Sequence, residues 1–393
     1  MVNLQSVAAI IFIAFMLVFL IIKRKKLTIQ NILPFPILYF AMYKTKLGIR
    51  FMDAWARKMD RPLKYISYLA IGLGFIGMAL ITYALIQNVY HLLTVPTAAP
   101  GAALVLPIQV KGAFYVPFLY WIISIFVIAT VHEFAHGLIA RKYNIKVKSS
   151  GFAFLGILLP IIPAAFVEPD EKQLRKRPAK EQLGVFAAGP FANILVAFIV
   201  LGIAAAVNPF VDNNIVQADG VLITAVTEDY PAEAAGVGPN EIIEEINGQK
   251  IVYLSNFSDI VKSQPPGETI TLATNVSTYQ LTLAENPQNK SQAYLGVMVE
   301  QNTRINPGFI EKYGRIPVAL LVFFIGLLYW LYVLNIGIGL FNLAPMGPID
   351  GGRMLQVALQ KFMKKEKADK YWKYIGLFFL ALVIINVLFA FVR

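Results

Sequence analysis

The chain has 393 residues, of which 57% are hydrophobic and only 15% charged, with a mean hydropathy of +0.62. That composition excludes a soluble globular protein of this length and calls for several membrane spans. The formal net charge of +12 is gathered in a few loops, a pattern of membrane topology and anionic lipid rather than of nucleic acid. Cysteine is absent, so disulfides and thiolate metal sites are excluded and the redox compartment is not legible.

In chain order, apolar stretches long enough to span run at about 4–22, 66–88, 114–137, 184–207, 316–343 and 371–392. No basic residue precedes the first, and Lys23-Arg24-Lys25-Lys26 follow it. A span rather than a cleaved signal peptide is therefore expected, with the N-terminus outside and the basic loop in the cytoplasm. Six alternating spans then put 27 of the 35 Lys and Arg on the inner side. Ile32–Tyr43 is a short apolar stretch expected at the membrane interface. Gly151–Phe166, with Pro160 and Pro163 inside it, is short for a span and reads as a re-entrant hairpin.

The segment Asn208–Arg315 carries 13 acidic residues against 6 basic ones, and holds the acceptor-type sites Asn256, Asn275 and Asn289. Both features fit an exterior location. Within it, residues 215–305 turn β-rich, with Gly220–Val226, Thr269–Thr274 and Tyr279–Leu283 as strands. Pro231–Val237 reads as a short helix ending in glycine, Pro239–Gly248 as a strand closed by an Asn-Gly turn, and Phe257–Ser263 as a second helix. The expected fold is therefore a polytopic α-helical membrane protein of about six spans, with a β-rich domain inserted between the fourth and fifth.

Chemistry concentrates at His132-Glu133-Phe134-Ala135-His136, near the end of the third span. Imidazoles four residues apart share one helix face and can grip one zinc ion, and the glutamate between them can deprotonate a water that the ion polarises. The plain alternative is a helix that is merely polar at its end. Ionisable groups inside a membrane are costly and usually functional, which favours the metal. A third ligand must be a carboxylate, because cysteine is lacking and the remaining histidine, His91, lies at the outer end of the second span. Asp350 is the other acid tied to an apolar span, in Asn342-Leu343-Ala344-Pro345-Met346-Gly347-Pro348-Ile349-Asp350-Gly351-Gly352. Prolines and glycines break the helix there, which is tolerated at membrane depth when the backbone is buried or lines a cavity. An N-cap aspartate is the competing explanation. Asn193, in Gly189-Pro190-Phe191-Ala192-Asn193 of the fourth span, is a lone amide that needs a partner, either an interhelical one or a substrate. Counted along their helices, all three elements fall in the inner half of the bilayer.

Together these motifs, in this order, resemble the site-2 protease family of intramembrane zinc metalloproteases. Residues 215–305 resemble a bacterial-type PDZ domain, with Asn240 standing where most PDZ domains have Asp. Gly347 stands where many members of the protease family have proline. The resemblance covers 114–207 and 316–355 as the catalytic membrane core, plus the PDZ-like domain, and leaves 1–113, with its two spans, unexplained; 371–392 is expected as a C-terminal membrane helix. It implies one zinc per chain on His132, His136 and Asp350, with Glu133 as general base and Asn193 holding substrate backbone or the developing oxyanion. It implies membrane-anchored protein substrates, no nucleic acid, and a multi-pass protein in the plasma membrane of a prokaryote, its active site near the cytoplasmic face. Asn342 and the hairpin edge at Gly151 and Phe152 are expected to bind substrate. Val221, Leu222 and Ile223 are the expected peptide-binding strand of the PDZ-like domain, which would capture a trimmed chain terminus or exclude bulky ectodomains. A membrane zinc peptidase of another family, a catalytically inactive PDZ-bearing scaffold and a transporter remain the alternatives.

Overall fold

The computed structural model describes residues 4–31, 39–95, 98–157, 159–287 and 289–392. The chain divides into two compact units, one built from residues 1–204 and 324–393, the other from 205–323. Among the described residues, six helices are long and apolar enough to cross a membrane: Leu4–Lys23, Asp60–Thr94, Phe118–Lys142, Ala179–Phe210, Arg315–Phe341 and Lys365–Val392. They coincide with the six expected spans. Several run further, because a helix need not stop where apolar residues do and long basic side chains can reach back to water.

The strands of the membrane unit are β1 (Leu27–Asn31), β2 (Tyr39–Thr45), the short pair β3 (Leu104–Leu106) and β4 (Ala113–Tyr115), then β5 (Val147–Ile157) and β6 (Leu159–Pro169). The expected re-entrant segment is the hairpin β5–β6, longer at both ends than predicted. It joins β1 and β2 in an antiparallel sheet of order β1-β2-β5-β6. So Tyr39–Tyr43, expected at the interface, is strand; residues 32–38 of that stretch lie outside the described residues. Asn144, at φ 55°, ends the third span and turns the chain toward β5.

Around the third span the packing is close. The helix Ile49–Lys58 buries Met52 and Ala56 and leaves Phe51 and Trp55 exposed. A Cβ at Gly137 would sit 2.7 Å from the Met52 sulfur, so this glycine lets the short helix lie against the metal-motif helix. Behind it, a buried cluster of Leu63, Ala70, Ile139, Ala187, Leu343 and Met354 joins the second, third and fourth spans to the helix Asp350–Phe362. Small residues at 187–189 permit that approach.

The second unit is built around a β-rich domain. Its strands are β7 (Val216–Val226), β8 (Ile242–Ile246), β9 (Gln249–Lys250), β10 (Thr269–Thr274), β11 (Thr278–Thr282), β12 (Ala284–Asn286), β13 (Asn289–Tyr294) and β14 (Val297–Ile305). The main sheet has the order β11-β10-β8-β7-β14, with β9 paired to β8. Helices Pro231–Ala234 and Leu254–Ser263 complete it over a core that includes Val221, Ile223, Ile243, Ile246, Ile270 and Leu272. One expectation fails here. β7 is bonded to β14 on one side and to β8 on the other at Val221 and Leu222, and Ile223 exchanges backbone bonds with Glu241 and Asn240. Val221, Leu222 and Ile223 therefore have no free edge for a peptide. The free edge on that side of the sheet is β14.

Candidate metal centre

Three side chains, two from the helix Phe118–Lys142 and one from a loop–helix junction, converge inside the membrane unit. One helical turn separates His132 from His136, so their rings share a face. Asp350 is the first residue of the helix Asp350–Phe362, where a carboxylate also suits the positive end of the helix dipole. The expected competing role, an N-cap, falls instead to Ile349, which caps nothing with its side chain. His132 Nε2 lies 3.0 Å and His136 Nε2 3.3 Å from Asp350 Oδ2, and the two ring nitrogens are 3.0 Å apart.

This triangle fits zinc. Tetrahedral bonds of about 2.0–2.1 Å put neighbouring ligand atoms about 3.3 Å apart. Two ring nitrogens facing each other at 3.0 Å cannot both carry a proton, and a cation shared with the carboxylate suits all three groups. Space is kept beside them as well. A Cβ on Gly189 would lie 2.4 Å from His136 Nε2 and 2.7 Å from His132 Nε2. This glycine, one of the small residues that let the helices approach, thus also borders the candidate metal position.

The ring orientations are fixed from behind. His136 Nδ1 lies 2.7 Å from the Val185 carbonyl, to which an N–H there donates, leaving Nε2 with a lone pair for a metal. His132 Nδ1 lies 3.1 Å from the Asn193 amide. With Nε2 given to a metal, Nδ1 carries the proton and the amide must present its oxygen. Asn193 Oδ1 has no other partner, so a half-turn of the amide satisfies both groups. Asn193 is fully buried, facing His132 rather than the open cavity. That placement replaces the expected direct contact with substrate by a contact that holds a ligand. Asn193→Ala is expected to lower zinc affinity by about 10–100-fold, the range for losing such a partner. Zinc titration by competition with a fluorescent chelator checks this; unchanged affinity with reduced turnover would restore the oxyanion role.

Glu133 lies between the two histidines in sequence and accepts a hydrogen bond from the backbone N–H of Val167, on β6, at 3.0 Å. One carboxylate oxygen is tethered and the other is left to act. The loop before Asp350 closes by a bond from the Gly351 N–H to the Asn342 carbonyl, 2.7 Å. A Cβ at Gly351 would meet the Leu343 oxygen at 2.2 Å and one at Gly352 the Met346 oxygen at 2.3 Å, so both positions need glycine for this close approach. At Gly347 an added Cβ would lie 2.3 Å from the Trp372 indole, which accounts for the absence of proline there.

A cavity of about 410 Å³ opens onto these groups, lined among others by His132, Glu133, His136, Asn342, Asp350 and Arg353. Its polar rim includes Glu168, held ionised below the ordinary carboxylate range by a hydrogen bond from Ser149 and by Lys44, although burial opposes this. Arg353 pairs with Glu171 at 3.0 Å on the same rim. Asn342 lines this cavity. Gly151 and Phe152 do not offer an edge, since β5 is paired on both sides, to Lys44 and Tyr43 of β2 and to Phe166 and Ala165 of β6. The hairpin's free edge is β6.

Sequence reasoning missed the Val185 carbonyl, the Val167 N–H and the space at Gly189. The first two are backbone groups and leave no signature in residue type.

The sequence pattern of peptidase family M50 matches residues 120–383. The uncharacterized protein MJ0971 of Methanocaldococcus jannaschii is 27% identical over 334 residues, 84% of this chain and 80% of that one. The zinc metalloprotease RasP of Oceanobacillus iheyensis is 24% identical over 272 residues; the match takes in 56% of this chain and 62% of RasP. Among solved structures, the PDZ domain of the SdrC-like protein of Listeria innocua aligns with 21% of this chain and 97% of its own, at 23% identity and a TM-score of 0.19.

Proposed function

The chain belongs to peptidase family M50, the site-2 protease family, and from that premise we propose that it is an intramembrane zinc metalloendopeptidase that cuts membrane-anchored proteins within or near their transmembrane segments. The observation that carries this reading is the triangle of His132, His136 and Asp350 with Glu133 beside it.

One zinc per chain, held by those three ligands, would supply Lewis acidity that brings the pKa of a water toward neutrality. Glu133 takes the water's proton on the oxygen that Val167 leaves free. The water oxygen adds to the peptide carbonyl carbon, the C–N bond breaks, and Glu133 returns the proton to the leaving amine. Val185 and Asn193 hold the rings while this occurs. Water enters from the polar rim at Glu168, Glu171 and Arg353, on the side that the basic loops mark as cytoplasmic. The plasma membrane of a prokaryote is the setting that the charge pattern and the prokaryotic relatives support.

A helical substrate hides its peptide bonds, so it must be drawn out as a strand beside Glu133. The free edge of β6 suits this. The Val167 N–H points away from β5 toward Glu133, and by the twofold period of a strand the Ala165 N–H points the same way. Pro163 has the same parity, as expected of an edge that β5 does not need. Ala165→Pro is expected to slow cleavage by about 2–10-fold, the worth of one hydrogen bond, with zinc content unchanged. Undiminished cleavage by that variant would count against docking on β6. In the PDZ-like domain an extended peptide, such as a trimmed terminus, would add to β14, the edge strand beside β7.

The reading is tested by where the cut falls. Product masses from a single-span substrate in proteoliposomes should place it inside or within a few residues of the span. Cuts confined to the soluble part of the substrate would reject intramembrane cleavage.

A further inference from the structure

A second cavity lies on the other side of Glu133. It measures about 230 Å³ and meets the metal-side cavity at Glu133, Phe166 and Val167. Its walls are mostly apolar, with Leu47, Met52, Phe134, Phe152, Ala165 and Phe166 prominent. Three sources build it: the metal-motif helix, the β5–β6 hairpin, and the segment at 47–52 that begins the helix Ile49–Lys58. That third source lies outside residues 120–383, in the part of the chain the motifs leave unexplained.

The segment is clamped in place. Ser150 Oγ donates to the Leu47 carbonyl at 2.5 Å, Thr45 Oγ1 donates to the Ser150 carbonyl at 2.9 Å, and the Leu47 N–H donates to Thr45 Oγ1 at 3.1 Å. Gly48, at φ +78°, turns the chain into the helix. Met52 is only 2% exposed and forms the floor against Gly137. The pocket is therefore part of the fold rather than a gap between loose side chains.

We infer that this pocket is a specificity subsite, which receives one large apolar side chain of the substrate at a position flanking the cut bond. The inference rests on the proteolytic reading above. A strand laid along β6 passes Glu133 with alternate side chains on opposite faces. Ala165 and Val167, two apart on β6, both line the pocket, so a residue of the docked strand on that face meets it. Size agrees, since an apolar cavity of about 150 Å³ already admits benzene. Leucine, methionine or phenylalanine from a membrane span is the fitting occupant, and a charged residue is not. The enzyme would then choose its bond by side-chain fit as well as by helix instability.

The test uses the full-length protein in proteoliposomes and single-span substrates that differ only in the residues flanking the cut, with Ala, Leu, Phe or Trp there. For each enzyme the ratios of kcat/KM are compared, so that any inactive fraction cancels. Wild type should prefer Leu or Phe to Ala by about tenfold or more at one flanking position. Ala165→Leu, which fills the pocket, should shift preference toward Ala, and Met52→Ala, which enlarges it, toward Trp. Opposite shifts from the two variants support the subsite. Ratios that stay at wild-type values in both, with cleavage intact, overturn it. Zinc-loaded wild type that cuts none of the substrates would instead overturn the proteolytic reading, and the subsite with it.

Discussion

Asp350→Ala is expected to abolish high-affinity zinc binding while the membrane unit stays folded. The carboxylate is one corner of a triangle whose sides are 3.0–3.3 Å, and its removal leaves two imidazoles at one helix face. Two neutral ligands cannot complete a protein zinc site that normally uses three or four. The loss should exceed the about 10–100-fold that follows removal of a group merely supporting a ligand. The side chain sits at the start of a helix whose packing depends on Gly351 and Gly352 meeting the preceding loop, so truncating it removes no backbone contact. Metal analysis of the purified variant, with circular dichroism beside wild type, measures both parts. Full zinc occupancy in Asp350→Ala would mean that a different residue completes the site.

Glu133→Gln is expected to have the opposite signature, with zinc retained near one per chain and turnover lowered by about 10²–10⁴-fold, the usual worth of a general base. The glutamine oxygen can still accept from the Val167 N–H, so the tether to β6 survives and the sheet is undisturbed. What is lost is the proton acceptor on the remaining side of the carboxylate. Single-turnover cleavage of a single-span substrate, at equal zinc loading, separates this from a binding defect. Comparable rates in Glu133→Gln and wild type would remove Glu133 from the chemistry.

The two variants also show what kind of information the sequence carries. Spans and the motif residues His132, Glu133, His136 and Asp350 are legible because each is a matter of residue type in a periodic context. The β-rich domain was legible as strands and turns but not as strand order. Order depends on pairings between distant segments, and β14, remote in sequence from β7, covers the edge a peptide on Val221–Ile223 would need. The same limit applied to the membrane sheet, where β2 comes from residues before the second span and encloses β5. Asn193 was found because an amide in an apolar helix needs a partner, yet only three dimensions show that partner to be His132. Backbone contributions from Val185 and Val167 could not be read at all. The role of residues 47–52 was hidden for another reason: no motif marks a wall, and Met52 gains meaning only beside Gly137 and the hairpin.

Whether this membrane unit hydrolyses peptide bonds with a metal held by His132, His136 and Asp350 is tested by stripping wild-type protein with a chelator, reconstituting it with a single-span substrate, and titrating zinc back while cleavage is followed. Cleavage absent in the stripped protein and restored at about one zinc per chain is the predicted result, since the three ligands describe one site. Cleavage that persists without metal, or zinc fully bound with every substrate left whole, would contradict metal-dependent hydrolysis.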